Sequence, residues 1–214
     1  MDNAAQIRLS ATRMFARSGF DGTSIQAIAD DVGVAKQTLL YHYPSKDALR
    51  RAVIESVFEH WRTRLPAILE AVTSGHGRFD ALTAELIRFF QRDGDSARLL
   101  VRELLDNGEE MRATLAQNLR PWVMLVAQYI RDGQRLNLIH DDVDPEAYVL
   151  EVIVLGVSTA ALEQLMEAAM GGDPEDNRSR WIAELTRLSR TALFKLPGTD
   201  LPQAAPVSDH ATED

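Results

Sequence analysis

The sequence predicts an all-α protein. Apolar residues recur at helical spacing through almost the whole chain, and no alternating period-2 segment of useful length occurs. Glycine, proline and Ser/Asp positions cut the pattern into pieces of helix length. The 214 residues are 45% apolar and 26% charged, which excludes disordered, collagen-like and fibrous classes. With no cysteine, a disulfide framework, thiolate metal sites and a cysteine nucleophile are also excluded. Charges are spread through Met1 to Arg17, and no apolar run approaches the roughly 18 residues of a membrane span. The expectation is a soluble, cytoplasmic protein with no membrane partner.

Residues 4–18 place Ile7, Ala11, Met14 and Phe15 on one face, and Gly19 follows as a stop. Thr23 precedes Ile25, Ile28, Ala29 and Val32, with Gln26 at capping-box distance from Thr23, and Gly33 ends this second, short helix. A third helix over 35–43 stops before Pro44, and Ser45 caps a fourth that runs to about Leu65, where Pro66 intervenes. Further helices are predicted at 67–74, 78–92, 95–106, 109–133 with a kink at Pro121, 145–170 and 177–194. Asp144-Pro145-Glu146 and Asp173-Pro174-Glu175 each combine an N-cap acid, a first-turn proline and an acid at the positive helix end. Beyond Pro197 periodicity disappears, so a disordered tail is expected over 197–214.

The net charge of −9 is unevenly distributed. Residues 1–64 hold nine Lys and Arg against seven Asp and Glu, while 65–214 hold fourteen against twenty-five. A basic front on an acidic body suits a polyanion-facing head. Thr23 to Lys46 reads helix, glycine turn, helix, proline, helix, the layout of a helix-turn-helix DNA reader. On its second helix Leu39 and Tyr43 share the inward side, while Gln37, Thr38 and Tyr41 point away from it. An amide, a hydroxyl with a methyl and a phenol suit base edges and phosphates. Lys36 stands near the start of the same helix, and Lys46 opens the next, where its ammonium and the first amides can meet one phosphate. A small αα-hairpin with a solvated face fits the bare outline equally well.

Phe15-Ala16-Arg17-Ser18-Gly19-Phe20-Asp21-Gly22-Thr23-Ser24, Ile28-Ala29, Gly33-Val34-Ala35-Lys36, and Thr38-Leu39 through His42-Tyr43-Pro44-Ser45-Lys46 together resemble the N-terminal domain of TetR-family transcriptional regulators. The resemblance implies a three-helix reader, with the fourth helix as connector, followed by a helical domain that binds a small molecule and dimerises through its last two long helices. The implied boundaries are 1–46 for the helix-turn-helix domain and 47–196 for the effector-binding and dimerisation domain. Carried over by position, Ser24 and Lys46 fall where such proteins touch phosphates, and Lys36, Gln37 and Thr38 where they read bases. Tyr41 and His42 fall where an aromatic-His pair contacts the backbone or supports the helix. Three positions depart from the pattern: Ala35 replaces a Ser cap, Gln37 replaces a common Gly, and Leu40 stands where Tyr is frequent.

In the body, Val149, Leu150, Val152 to Leu155 and Val157 make a stretch apolar on all sides, which must be covered on more than one face. With the seam of Trp181, Leu185 and Leu188 it suits half of an intersubunit four-helix bundle. Val149, Ile153, Gly156, Trp181, Leu185 and Leu188 are the candidate interface residues. Candidate ligand contacts are Phe58, Trp61, Phe89, Phe90, Arg102, Met111, Trp122 and Tyr129, each of which reads more readily as an ordinary core residue. The five histidines form no His-Glu-x-x-His or Glu-x-x-His pair, and there is no Gly-rich phosphate loop. No catalytic residue, metal site or cofactor is expected. The functional expectation is a homodimeric regulator, a repressor released from a palindromic double-stranded DNA operator by a small molecule. The alternative is a helical binding or scaffold protein without DNA. The acidic excess and aromatic content suggest an apolar or aromatic effector with room for a cationic group.

Overall fold

A computed structural model of the protein describes residues 2–72, 75–92, 94–106 and 108–195. The predicted tail over 197–214 lies outside them. Among the described residues the chain forms eleven helices: α1 (Asn3–Ser18), α2 (Ile25–Val32), α3 (Lys36–His42), α4 (Lys46–Ala71), α5 (Gly75–Arg92), α6 (Gly94–Asp106), α7 (Gly108–Asn118), α8 (Arg120–Arg135), α9 (Pro145–Ala161), α10 (Glu163–Met170) and α11 (Pro174–Leu193). One isolated antiparallel bridge, Ile139 to Phe194, ties the segment after α8 to the end of α11.

The first three helices close around Ile7, Ala11, Phe15, Ile28, Ala29 and Leu39, all without solvent exposure. Gly33 ends α2 in the left-handed region at φ 76°, ψ 30°, and the Val34 amide donates back to the Ala29 carbonyl at 3.0 Å. Ala35 gives α3 no side-chain cap, as its methyl dictates, whereas the Ser45 hydroxyl caps α4 by accepting from the Ala48 amide. Asp144 and Asp173 cap α9 and α11 in the same way.

Four boundaries differ from the sequence reading. Ser24, not Thr23, caps α2; the Thr23 hydroxyl is buried, 2.8 Å from the Gly19 carbonyl, and fastens the turn instead. Helix α4 runs on through Pro66 to Ala71. An interior proline costs about 3 kcal/mol, but burial of Leu65, Ile68 and Leu69 around it returns roughly 1.5–3 kcal/mol each. The segment 109–133 is two helices rather than one kinked helix. It breaks at Leu119, which leaves Pro121 in the first turn of α8, where a missing N–H is harmless. The segment 145–170 bends by 72° at Leu162, and α10 then lies along α11, where Glu163 pairs with Arg178. Among the described residues no single helix is long and apolar enough to cross a membrane; α9 and α10 reach that length only together, across the bend.

The joint between the front and the body is shared by α4 and α6. Leu49 and Val53 of α4 and Leu99 of α6 complete the core of the first three helices. Beside them the Arg50 guanidinium is buried against the Glu103 carboxylate, with Nε donating at 2.8 Å and Nη2 at 2.6 Å. The opposite side of α6 packs extensively on α9.

Candidate functional site

Two features stand out, a polar helix face at the front and a cavity in the body. On α3, Leu39 and Tyr43 are buried; the Tyr43 hydroxyl donates to the Ala4 carbonyl at 3.1 Å and accepts from Arg8, which fixes α3 across α1. Lys36 and Gln37 are exposed, Thr38 is half-buried, and Tyr41 stands 84% exposed with the half-buried His42 ring against it edge-on. So large an exposed aromatic next to free polar groups leaves hydrogen-bonding and stacking surface that the fold itself does not consume. Lys46 is held with its ammonium 4.2 Å from the centre of the Phe20 ring, so its charge is parked beside the α3 face. Ser24 is exposed with its oxygen accepting from the Ala27 amide, which leaves its O–H free to donate. The seven residues singled out from the sequence stand at the N-cap of α2 (Ser24), along α3 (Lys36, Gln37, Thr38, Tyr41 and His42) and at the start of α4 (Lys46), each exposed or half-buried. The Ser10 hydroxyl and Arg13 both hydrogen-bond Asp31, at 2.6 and 2.7 Å, which bolts α1 to α2; the Ser10 bond foremost holds that carboxyl below its ordinary range.

The cavity has a volume of about 610 Å³ and lies between α4, α5, α6, α7, α8 and α9. Such a volume accommodates a drug-sized molecule. Phe58, Trp61, Phe90, Met111, Trp122 and Tyr129 line it, together with Leu100, Val101 and Leu104 from α6 and Val152 and Ile153 from α9. The other two candidate ligand contacts lie elsewhere. Phe89 sits outside the lining, stacked on His60 at 4.3 Å. Arg102 reaches back to the front, its Nη1 against Gly19. Phe89 and Phe90 are consecutive and stand about 100° apart around α5, so one enters the lining and the other does not. Arg78 and Tyr148 also line the cavity, and nothing in the sequence marked either. The Tyr148 hydroxyl donates to the Ser189 carbonyl at 2.6 Å, and burial pushes its pKa well above the ordinary phenol value. Among the described residues the cavity lining holds a single carboxylate, Asp132, already bonded to Gln128 and Arg135, so little of the body's acidic excess is seen at the ligand space.

The candidate interface residues divide. Val149 and Leu185 are buried within the chain, and Gly156 faces Leu86 so closely that a Cβ there would stand 2.6 Å from Leu86 Cδ2. Ile153 is half-buried and faces the cavity, Trp181 is half-buried, and Leu188 is exposed. The apolar residues that α9 and α10 leave in solvent are Leu150, Val154, Leu155 and, past the bend, Leu165. On a helix apolar all round, sequence spacing identifies no inner stripe; packing against α5 and α8 does.

A helix-turn-helix with an outward polar reading face, carried on a helical body with a largely apolar cavity, defines a DNA-binding transcriptional regulator. Residues 7–53 match the family model for bacterial regulatory proteins of the tetR family. It is 28% identical to the HTH-type transcriptional regulatory protein RaaS of Mycobacterium tuberculosis over 160 residues, 71% of this chain and 66% of that protein. To the HTH-type transcriptional regulator RutR of Escherichia coli it is 26% identical over 173 residues, 78% of each chain. In fold it is similar to a tetR-family regulatory protein from Rhodococcus, with a TM-score of 0.69 and 21% identity over 88% of this chain and 98% of that one. A transcriptional regulator from Saccharomonospora viridis, solved in complex with choline, is similar at a TM-score of 0.69 and 18% identity, covering 90% and 98%.

Proposed function

We propose that the protein is a homodimeric repressor that leaves a palindromic operator in the cytoplasm when a small molecule fills the body cavity. The division at residues 46 and 47 then separates reader from sensor. Two copies of α3 enter successive major grooves, roughly 34–36 Å apart. Lys36, Gln37 and Thr38 reach base edges, while Ser24, Tyr41, His42 and Lys46 hold the backbone. Dimerisation uses the solvent-facing apolar side of α9 and the exposed Leu188 of α11. The observation that carries the reading is the double role of α6. Leu100, Val101 and Leu104 line the cavity, while Leu99 plugs the core of the reader and Glu103 holds Arg50. A ligand that moves α6 must therefore move the reader, a coupling of typically 1–3 kcal/mol.

Selection of bound sequences from a random DNA pool tests it. Enrichment of an inverted repeat is expected, and a non-palindromic result, or none, sinks the dimeric reader. Repeating the selection with Gln37→Ala should relax one base pair per half-site and weaken the preferred operator by about 1–3 kcal/mol. Equal loss on specific and random DNA would remove Gln37 from base reading.

A further inference from the structure

The cavity wall is apolar almost throughout, yet a guanidinium is built into one end of it. Arg78, on the first turn of α5, lies with its Cζ 4.4 Å from the centre of the Tyr129 ring. Its Nε is buried and has no hydrogen-bond partner among the described residues. Several of the other polar groups at this wall are already engaged. Asp132 accepts from Gln128 and Arg135, the Asn118 amide donates to the Thr114 carbonyl, and the Tyr148 hydroxyl donates to Ser189. His76 stacks on Phe194 at 4.0 Å beside the same end. A guanidinium in apolar surroundings loses its hydration, and an aromatic face replaces only part of it. Its N–H groups form a planar fork matched to a carboxylate.

We propose that the cavity takes an amphipathic anion, a molecule with an alkyl or aromatic body and one carboxylate that pairs with the Arg78 fork. This rests on the reading of the cavity as the effector site. It replaces the cationic group suggested by composition, because the acidic excess lies outside the cavity and the charge inside it that lacks a partner is positive. Among the described lining residues Arg78 is the one arginine and there is no lysine, which suits a singly charged head rather than a polyphosphate.

Calorimetric titration of the full chain with decanoate, decanol and decyltrimethylammonium, each below its micellar concentration, isolates the head group at constant body. Naphthoate and naphthol repeat the comparison with an aromatic body. Decanoate should bind wild type about 10- to 100-fold more tightly than decanol, the range of a hydrogen-bonded charged group. Arg78→Gln should erase that difference while leaving decanol affinity within about 3-fold, and Arg78→Lys, which keeps charge but loses the fork, should fall between. If Arg78→Gln does not fold, the Arg78→Lys comparison decides alone. Equal affinity for acid and alcohol, or a preference for the ammonium, overturns the anionic head and leaves the cavity as an apolar site. Failure of every acid and alcohol to bind overturns the cavity as a ligand site, and this inference with it.

Discussion

The front and the body of this chain are packed on different principles. In the front, eight apolar side chains from α1 to α4 reach zero exposure in one cluster, and polar contacts such as Ser10 to Asp31 and Tyr43 to Ala4 fasten the helices to one another. In the body, three smaller clusters surround an open volume of about 610 Å³, and large apolar residues remain in solvent along α9 and at Leu188 of α11. Close packing gives the front a single rigid arrangement, as a surface that must match base edges requires. On the function proposed above, a ligand fills the hollow core and a second copy covers the apolar face, so that the front reads and the body responds.

The comparison breaks most visibly at the uncovered face. If a second copy covers α9 and α11, Val154→Glu or Leu188→Glu places a carboxylate against hydrocarbon twice per dimer, at several kcal/mol per buried ion. Both residues are more than half exposed in the single chain, at 56% and 52%, so its folding should be spared. Light scattering should therefore show soluble monomers. A mutant retaining the dimer mass would place the interface elsewhere. Leu185→Glu cannot serve, since Leu185 is buried within the chain.

The joint comes next. Glu103→Ala removes the carboxylate paired with the buried Arg50 guanidinium and should cost about 3–5 kcal/mol, whereas the double change Arg50→Met, Glu103→Met should recover most of it. Urea unfolding gives the energies. A double mutant as unstable as Glu103→Ala would show that the pair does more than neutralise itself. Packing contrast is tested by matched truncations: Leu39→Ala, in the closed front, should cost about 2–5 kcal/mol. Leu104→Ala, on the cavity wall and 42% exposed, should cost roughly 1 kcal/mol or less. Similar costs would mean that the body is packed as tightly as the front.

The smallest effect concerns acid. Glu85 is buried against Arg64 at 3.2 Å, Arg88 at 3.1 Å and His60 at 3.2 Å, and the Arg64 hydrogen bond foremost holds its carboxyl below the ordinary value of 4.5. A carboxyl lowered on folding contributes stability above its unfolded value and loses it as the pH falls through the folded one. Glu85→Gln should accordingly remove roughly 1 kcal/mol or less at neutral pH, because both arginines are about half exposed, and should flatten the stability curve below pH 4.5. An unchanged acid limb would show that the cluster is electrostatically idle.

What the sequence alone determined was local. The all-α class, the turn at Gly33, the caps at Ser45, Asp144 and Asp173, and the outward set on α3 follow from spacing and from side chains acting on their own backbone within four residues. Such effects do not depend on what lies across the core. Tertiary structure decided whatever involved competition between a local rule and a distant partner. Pro66 stayed inside α4 because Leu65, Ile68 and Leu69 found a core to enter. The apolar stretch of α9 acquired an inside and an outside only when α5, α6 and α8 covered part of it. Arg78, one of twenty arginines, became distinctive only because folding brought Tyr129 under it and left its buried Nε without a hydrogen-bond partner among the described residues. Hydrophobic burial is non-directional, so spacing along one helix can say that a face will be covered but not by which neighbour, and the cavity is the space those neighbours leave.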